Sequence, residues 1–99
     1  EILKSYNIVR GFFGAHGITP EEGLTDISPD EAKIKSEIVR MCREVIAVLD
    51  ATKWGKIGVA SFASMDQIQK VISNEAKGIS NSTIVNEICQ KGIEVLFVG

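Results

Sequence analysis

The sequence predicts an α/β fold, a three-layer sandwich around a mainly parallel sheet. Two observations support this prediction. Apolar runs of strand length alternate with helix-like segments along the whole chain. The central run, Val-Ile-Ala-Val-Leu at residues 45–49, is apolar on both faces, as in a strand that is covered by helices on both sides. With 99 residues, 44% of them hydrophobic and 24% charged, the chain has the length and composition of one globular domain.

The first predicted elements form a strand, a loop and a helix. Residues 8–13 are predicted to be a strand, which the two glycines of Gly-Ala-His-Gly at 14–17 end. Residues 18–27, with a proline and a glycine, are predicted to be a loop. Ser28 then has the pattern of an N-cap, because a proline follows it and Glu31, three residues on, fits a capping box. The helix should continue to about residue 43, and the spacing of Ile34, Ile38, Met41, Cys42 and Val45 predicts that their face is buried.

The strand at 45–49 completes a βαβ unit, whose crossover is almost always right-handed. The remaining predicted elements are a short strand at 57–62, at most one helical turn at 63–67, a strand at 70–73, a polar loop at 74–79, a helix at 80–91 with Gly92 as its C-cap, and a last strand at 93–98.

The loop after the central strand places a cation where α/β proteins bind ligands. Asp50 begins the turn and Gly55 relaxes the backbone after it, with Lys53 between them. The carboxyl edge of a parallel sheet is the usual ligand-binding edge. His16 and Gly17 follow the neighbouring strand of the same βαβ unit, so we expect the Lys53 loop to lie near them. Two questions stay open at this point. Lys53 could equally be a solvated lysine on a surface turn, and Trp54 could either stack on a ligand or pack in the core.

Composition argues against several classes of function. The net charge of −2, without a basic stripe, argues against DNA binding by this segment. No apolar run approaches the ~20 residues that span a bilayer, so the cytosol is the expected location and no membrane partner is expected. Cys42 and Cys89 are predicted to be buried free thiols, and His16 lacks partners for a metal site. We therefore expect neither a metal nor a cofactor. Because residue 1 is Glu rather than Met, the chain is also expected to be a piece of a longer protein.

Five short motifs occur in an order that resembles the C-terminal effector-sensing domain of the DeoR family of sugar-metabolism repressors. They are Phe13-Gly14-Ala15-His16-Gly17-Ile18, Gly23-Leu24-Thr25, Glu31-Ala32-Lys33-Ile34-Lys35, Asp50-Ala51-Thr52-Lys53-Trp54-Gly55 and Gly92-Ile93-Glu94-Val95.

The resemblance implies a domain that senses a phosphorylated sugar, with a Rossmann-like fold of the isomerase/CoA-transferase type. It also implies that residues 1–99 are the carboxyl part of that domain, without its first strands, its phosphate loop and the DNA-binding helix-turn-helix. DNA binding would then come only from the absent part, and the uncovered sheet edge predicts self-association. The effector-binding residues that we expect are Lys53, His16, Gly17, Thr25, Lys35, Asp50 and Glu31.

Related sugar-phosphate isomerases and deaminases provide the alternative function. Their catalytic acids align with Phe13, His16 and Lys35, so all three acids are absent here. Proton abstraction next to a carbonyl needs a carboxylate or another base with a pKa near neutral, which a helix-borne lysine does not supply. The sequence therefore predicts a binding site and no enzyme activity. A plain assembly module without a ligand is the third possibility.

Overall fold

The computed structural model describes residues 8–99, and this part of the chain forms an α/β domain with two sheets. Its elements, in order, are β1 (Ile8–Phe13), β2 (Gly17–Thr19), β3 (Gly23–Asp26), α1 (Pro29–Met41), β4 (Cys42–Leu49), β5 (Ala60–Ala63), β6 (Lys70–Asn74), α2 (Thr83–Gln90) and β7 (Glu94–Val98). A single 3₁₀ turn at Ala51–Lys53 lies between β4 and β5, and another at Met65–Gln67 lies between β5 and β6.

The main sheet has the order β1-β4-β6-β7, and every neighbouring pair is parallel. Each strand is added on the same side of the previous one, so right-handed crossovers carry both helices to one face. The core confirms this arrangement, since Val39 of α1 and Ile88 of α2 share one buried cluster with Ala47 of β4. The predicted α/β class and parallel sheet are confirmed, and the described residues place helices on one face of that sheet.

A second sheet occupies the region that the sequence predicted to be a loop. Strands β2, β3 and β5 form it in that order, and its pairs are antiparallel. The loop prediction for 18–27 is therefore wrong, and the strand predicted at 57–62 begins later and belongs to this sheet. Gly23 makes the tight β2–β3 connection possible, because its φ is +72° and a Cβ there would lie 2.0 Å from the Ala63 carbonyl oxygen.

Helix α1 begins as predicted and ends earlier. Ser28 is the N-cap, and its Oγ accepts the Glu31 backbone N–H over 3.2 Å. The helix stops at Met41 and β4 starts at Cys42, with no connecting residue between them. The buried positions are Ala32 and Val39, whereas Ile34 is exposed although its spacing predicted the buried face.

Helix α2 is shorter than the predicted 80–91. Ser82 caps it by accepting the Val85 N–H over 3.4 Å, and Gly92 follows its end with φ +92°. Cys89 is exposed and Cys42 is half-buried, so the prediction of two buried thiols is wrong for Cys89. A helix turns by about 100° per residue, which points Cys89 away from the core that contains its neighbour Ile88. Burial raises the pKa of the Cys42 thiol. None of the helices within residues 8–99 has the length and apolar character needed to cross a membrane.

Candidate functional site

Two loops meet at the carboxyl edge of the main sheet. Because β1 and β4 are parallel neighbours, the segments that follow them leave the sheet at the same edge. Ile18 and Trp54 form a parallel β-bridge, and the Gly55 N–H donates to the Ile18 carbonyl oxygen over 2.9 Å. The loop that contains His16 and the loop that contains Lys53 are therefore joined through their backbones, as the sequence predicted.

Asp50 holds the turn that carries Lys53. Its Oδ2 accepts the Thr52 backbone N–H over 3.0 Å and the Thr52 hydroxyl over 2.5 Å. Both hydrogen bonds lower the pKa of Asp50, and the one from the Thr52 hydroxyl has the larger effect. Lys53 ends the turn, and its backbone N–H donates to the Asp50 carbonyl oxygen over 2.9 Å. Its side chain is half-buried, and no ion pair joins it to another residue of the range 8–99.

The end of β6 supports this turn from the other side. The Ala51 N–H donates to Asn74 Oδ1 over 2.5 Å, and Trp54 Nε1–H donates to Ser73 Oγ over 3.1 Å. Trp54 is buried and its ring lies 6.2 Å from that of Phe97, which decides between its two alternatives in favour of core packing. Sequence reasoning missed Ser73 and Asn74. The available signal was that two polar residues close an apolar strand at the ligand-binding edge.

Gly17 and Thr25 connect the two loops in the interior. A Cβ at Gly17 would lie 1.9 Å from the Lys56 carbonyl oxygen, so the backbones touch where this residue has no side chain. Thr25 is 1% exposed, and its hydroxyl accepts the Gly58 N–H over 2.7 Å and donates to the Gly17 carbonyl oxygen over 3.4 Å. The His16 N–H also donates to the Thr25 carbonyl oxygen, over 2.9 Å. Gly17 and Thr25 therefore both contact the backbone of other segments of the domain.

Lys35 lies on α1 and fastens the same region to the helix. Its Nζ donates to Asp26 Oδ2 over 2.7 Å and to the Gly14 carbonyl oxygen over 3.0 Å. The ammonium also lies 4.9 Å from the ring centroid of Phe62, within the range of a cation–π contact. The Lys35 and Asp26 side chains are 27% and 14% exposed. Glu31 stands apart, at the exposed first turn of α1, where its backbone N–H caps onto Ser28.

Comparison with known proteins identifies the family. A family model described as the DeoR C terminal sensor domain matches residues 1–75, which include both loops and every predicted site residue. The chain belongs to this family.

Curated relatives of this sensor domain are named as HTH-type transcriptional regulators. The HTH-type transcriptional repressor GlcR of Bacillus subtilis is 25% identical over 96 residues, which are 97% of this chain and 36% of the repressor. The HTH-type transcriptional regulator GlpR of Haloferax volcanii is 31% identical over 85 residues, which are 86% of this chain and 32% of that regulator. The HTH-type transcriptional regulator GolR of Listeria innocua is 36% identical over 63 residues, which are 64% of this chain and 25% of that regulator. The sensor domain described here spans about a third of the length of the relatives that it matches.

The candidate site offers a cationic side chain at its surface. The sensor domain presents the half-buried ammonium of Lys53 and the half-buried imidazole of His16 on adjoining loops. An ammonium supplies three hydrogen-bond donors and a point charge, which suit a phosphate or a sugar hydroxyl. The positions that align with the isomerase acids hold a buried phenyl ring in Phe13, the imidazole of His16 and an ammonium in Lys35 that is already paired with Asp26.

Proposed function

We propose that this sensor domain binds a phosphorylated sugar at the carboxyl edge of its main sheet, with Lys53 as the principal contact. One observation carries the proposal. Lys53 sits on a turn that Asp50 holds from within and Asn74 from the next strand, directly beside the loop of His16. A cation on a preorganised turn loses little freedom on binding, which favours affinity.

The predicted site residues divide into two roles in this proposal. Lys53 and His16 contact the effector. Asp50 holds the turn that carries Lys53. The two loops are fixed against each other by Gly17, Thr25 and Lys35. Glu31 is proposed as a further contact from the first turn of α1, where its exposed carboxylate is available for sugar hydroxyls.

The longer protein that we propose around this domain is a DeoR-type repressor of sugar metabolism in the cytosol. A helix-turn-helix outside these 99 residues would bind its operator. The effector would shift the equilibrium between the operator-bound and released states, because it would bind one of these two states with higher affinity than the other. The relatives named above, which are transcriptional regulators by their names, support this proposal. The third layer of the predicted Rossmann-like sandwich would come from the same longer protein and lie on the face of the main sheet opposite the helices.

We further propose that the domain has no isomerase activity. Proton abstraction would need a general base near the effector, and the Lys35 ammonium is instead engaged by Asp26 and the Gly14 carbonyl oxygen. Incubation with ribose 5-phosphate should therefore give no ketose product. Formation of ribulose 5-phosphate above the buffer rate would refute this part of the proposal.

Calorimetry with a panel of sugar phosphates tests the binding site, and it uses the longer protein that contains this domain, because the phosphate loop is expected outside these 99 residues. The probes are ribose 5-phosphate, fructose 6-phosphate and glucose 6-phosphate, with the unphosphorylated sugars as references. Charge-assisted hydrogen bonds are worth roughly 1.5–3 kcal/mol, so Lys53→Ala should weaken the best probe about ten- to a hundredfold. Lys56→Ala is the matched control, because Lys56 is an exposed lysine three residues further along the same loop. Equal affinity of the parent and Lys53→Ala proteins, or no binding of any probe to the parent, would refute the proposal.

A further inference from the structure

Asn74 ends β6 at the carboxyl edge of the main sheet, beside the turn that carries Lys53. It is exposed, whereas Ser73 directly before it is buried. Its backbone is fixed from two sides, because Asn74 pairs with Val98 in the parallel ladder and its carbonyl oxygen accepts the Ser73 hydroxyl over 3.0 Å. The position of Asn74 relative to the lysine turn is therefore set by the sheet.

One hydrogen bond orients the side-chain amide of Asn74. The backbone N–H of Ala51 can donate only to an acceptor, so the amide atom 2.5 Å from the Ala51 nitrogen is Oδ1 and not Nδ2. Because the amide group is planar, fixing its oxygen also fixes the direction of the two N–H bonds of Nδ2. Within residues 8–99, the bond to Oδ1 is the only hydrogen bond of this side chain. Both N–H groups of Nδ2 are therefore available as donors at the exposed end of the strand.

We infer that Asn74 Nδ2 donates to the phosphate group of the effector, beside the ammonium of Lys53. This inference rests on the proposed function, and it adds a second contact and states which part of the effector lies there. Ala51 and Lys53 are the first and last residues of one 3₁₀ turn, along which the chain advances only about 2 Å per residue. The amide that binds the first residue of the turn therefore lies close to the last residue, so the two side chains can reach one group.

The hydrogen-bonding capacity of this pair of side chains matches a phosphate. The Lys53 ammonium and the Asn74 Nδ2 group are donors only, and the Asn74 oxygen is already occupied by the Ala51 N–H. A phosphate monoester has three strong acceptor oxygens, so two donors on this side leave room for the phosphate loop expected in the longer protein. The Asp50 carboxylate of the same turn offsets part of the Lys53 charge, so a second, neutral donor should add to the affinity for an anion.

Two substitutions separate donation to the effector from support of the lysine turn. Asn74→Asp keeps an oxygen for the Ala51 N–H but replaces the NH₂ group by a second carboxylate oxygen. Asn74→Ala removes the donor without adding a charge. In calorimetry on the longer protein, Asn74→Ala should weaken binding of the best sugar phosphate about tenfold to a hundredfold, and Asn74→Asp should weaken it more, because its charge repels the phosphate. Asn86→Asp is the matched control, since Asn86 is exposed within α2 and undergoes the same change of charge, and it should bind like the parent.

The calorimetric outcomes distinguish this inference from the proposed function. A parent that binds no probe, or a Lys53→Ala protein that binds like the parent, would refute the proposed function and this inference with it. If Lys53→Ala weakens binding and Asn74→Asp does not, Asn74 only supports the turn and this inference alone is overturned. If Asn74→Asp weakens binding and Asn74→Ala does not, the cause is repulsion by the introduced charge, which also overturns it. Circular dichroism checks that each variant folds.

Nuclear magnetic resonance of the side-chain amide observes the contact directly. The two Nδ2–H signals of Asn74 in the isotope-labelled longer protein are assigned by their loss in Asn74→Asp. They should shift when the best sugar phosphate is added, and inorganic phosphate should shift them in the same direction. The corresponding signals of Asn86 are the internal control and should stay in place. Asn74 signals that do not move when the protein is saturated with the sugar phosphate, or that move with the unphosphorylated sugar and not with inorganic phosphate, would overturn the inference.

Discussion

The indole N–H of Trp54 donates to the Ser73 hydroxyl over 3.1 Å in the interior of the protein. Ser73 is 1% exposed, and its own hydroxyl donates to the Asn74 carbonyl oxygen over 3.0 Å. Trp54 directly follows Lys53, so this buried contact ties the lysine turn to the end of the neighbouring strand β6. The position of the proposed effector contact thus depends on a hydrogen bond inside the core.

Replacing Ser73 by alanine should destabilise the domain by about 1–3 kcal/mol. The substitution leaves the buried Trp54 N–H without an acceptor, and a buried unsatisfied donor has a cost of this size. Urea unfolding followed by Trp54 fluorescence measures the change. Ser61→Ala is the control, because Ser61 is exposed and surface substitutions usually stay within about 0.5 kcal/mol. Equal unfolding free energies for the two variants would contradict the assigned role of Ser73.

The Thr25 hydroxyl should be needed for stability more than the Thr25 methyl group. Thr25→Val keeps the shape of the side chain but leaves the Gly58 N–H and the Gly17 carbonyl oxygen without their partner, so we expect a loss of about 1–3 kcal/mol. Thr25→Ser keeps the hydroxyl and should lose less. Denaturant unfolding of both variants separates the two contributions. A serine variant less stable than the valine variant would show that packing dominates at this site.

The pH dependence of the lysine turn should follow the carboxyl group of Asp50. Hydrogen bonds from the Thr52 hydroxyl and backbone lower the pKa of Asp50 in the folded protein below the ordinary value of about 3.9. A lowered folded pKa means that the contribution of Asp50 to stability is fully present above about pH 4–5 and is lost as the pH falls through the folded pKa. Neutral conditions therefore keep the turn intact.

Thr52→Val removes the largest cause of this shift. The backbone hydrogen bond to Asp50 remains, so the pKa of Asp50 should rise only part of the way to its ordinary value. An NMR titration of the Asp50 carboxyl carbon in both proteins measures it. Thr83→Val is a suitable control, since Thr83 begins α2 and makes none of the described contacts with Asp50. An unchanged Asp50 pKa in Thr52→Val would remove the hydroxyl from the explanation.

The parallel βαβ framework could be predicted because its signals are local and strong. The apolar run that became β4 and the capping pattern at Ser28 both gave the correct element. The β2–β3 hairpin could not be predicted in this way, because strands of three and four residues are too short to show an alternating pattern. Their stability comes from pairing with β5, which lies far along the chain, beyond α1 and β4.

The position of the candidate site in the fold could be predicted from the sequence, but most of the contacts within it could not. Strand order alone brings the loops of His16 and Lys53 to one edge, which is why that prediction is confirmed. The partners of Lys35 were not predictable, since Asp26 lies on the unrecognised hairpin. The same is true of Thr25, whose hydroxyl meets the backbone of a distant segment.

The direct passage from α1 into β4 makes this part of the chain sensitive to its exact length. Met41 ends the helix and Cys42 begins the strand, so no loop can absorb an extra residue. A one-residue insertion there would shift β4 by one position and exchange its faces, which moves Val45, Ala47 and Leu49 out of the core. Homologous proteins should therefore vary in length at the β2–β3 turn or after α2, and keep a constant spacing between Ser28 and Asp50.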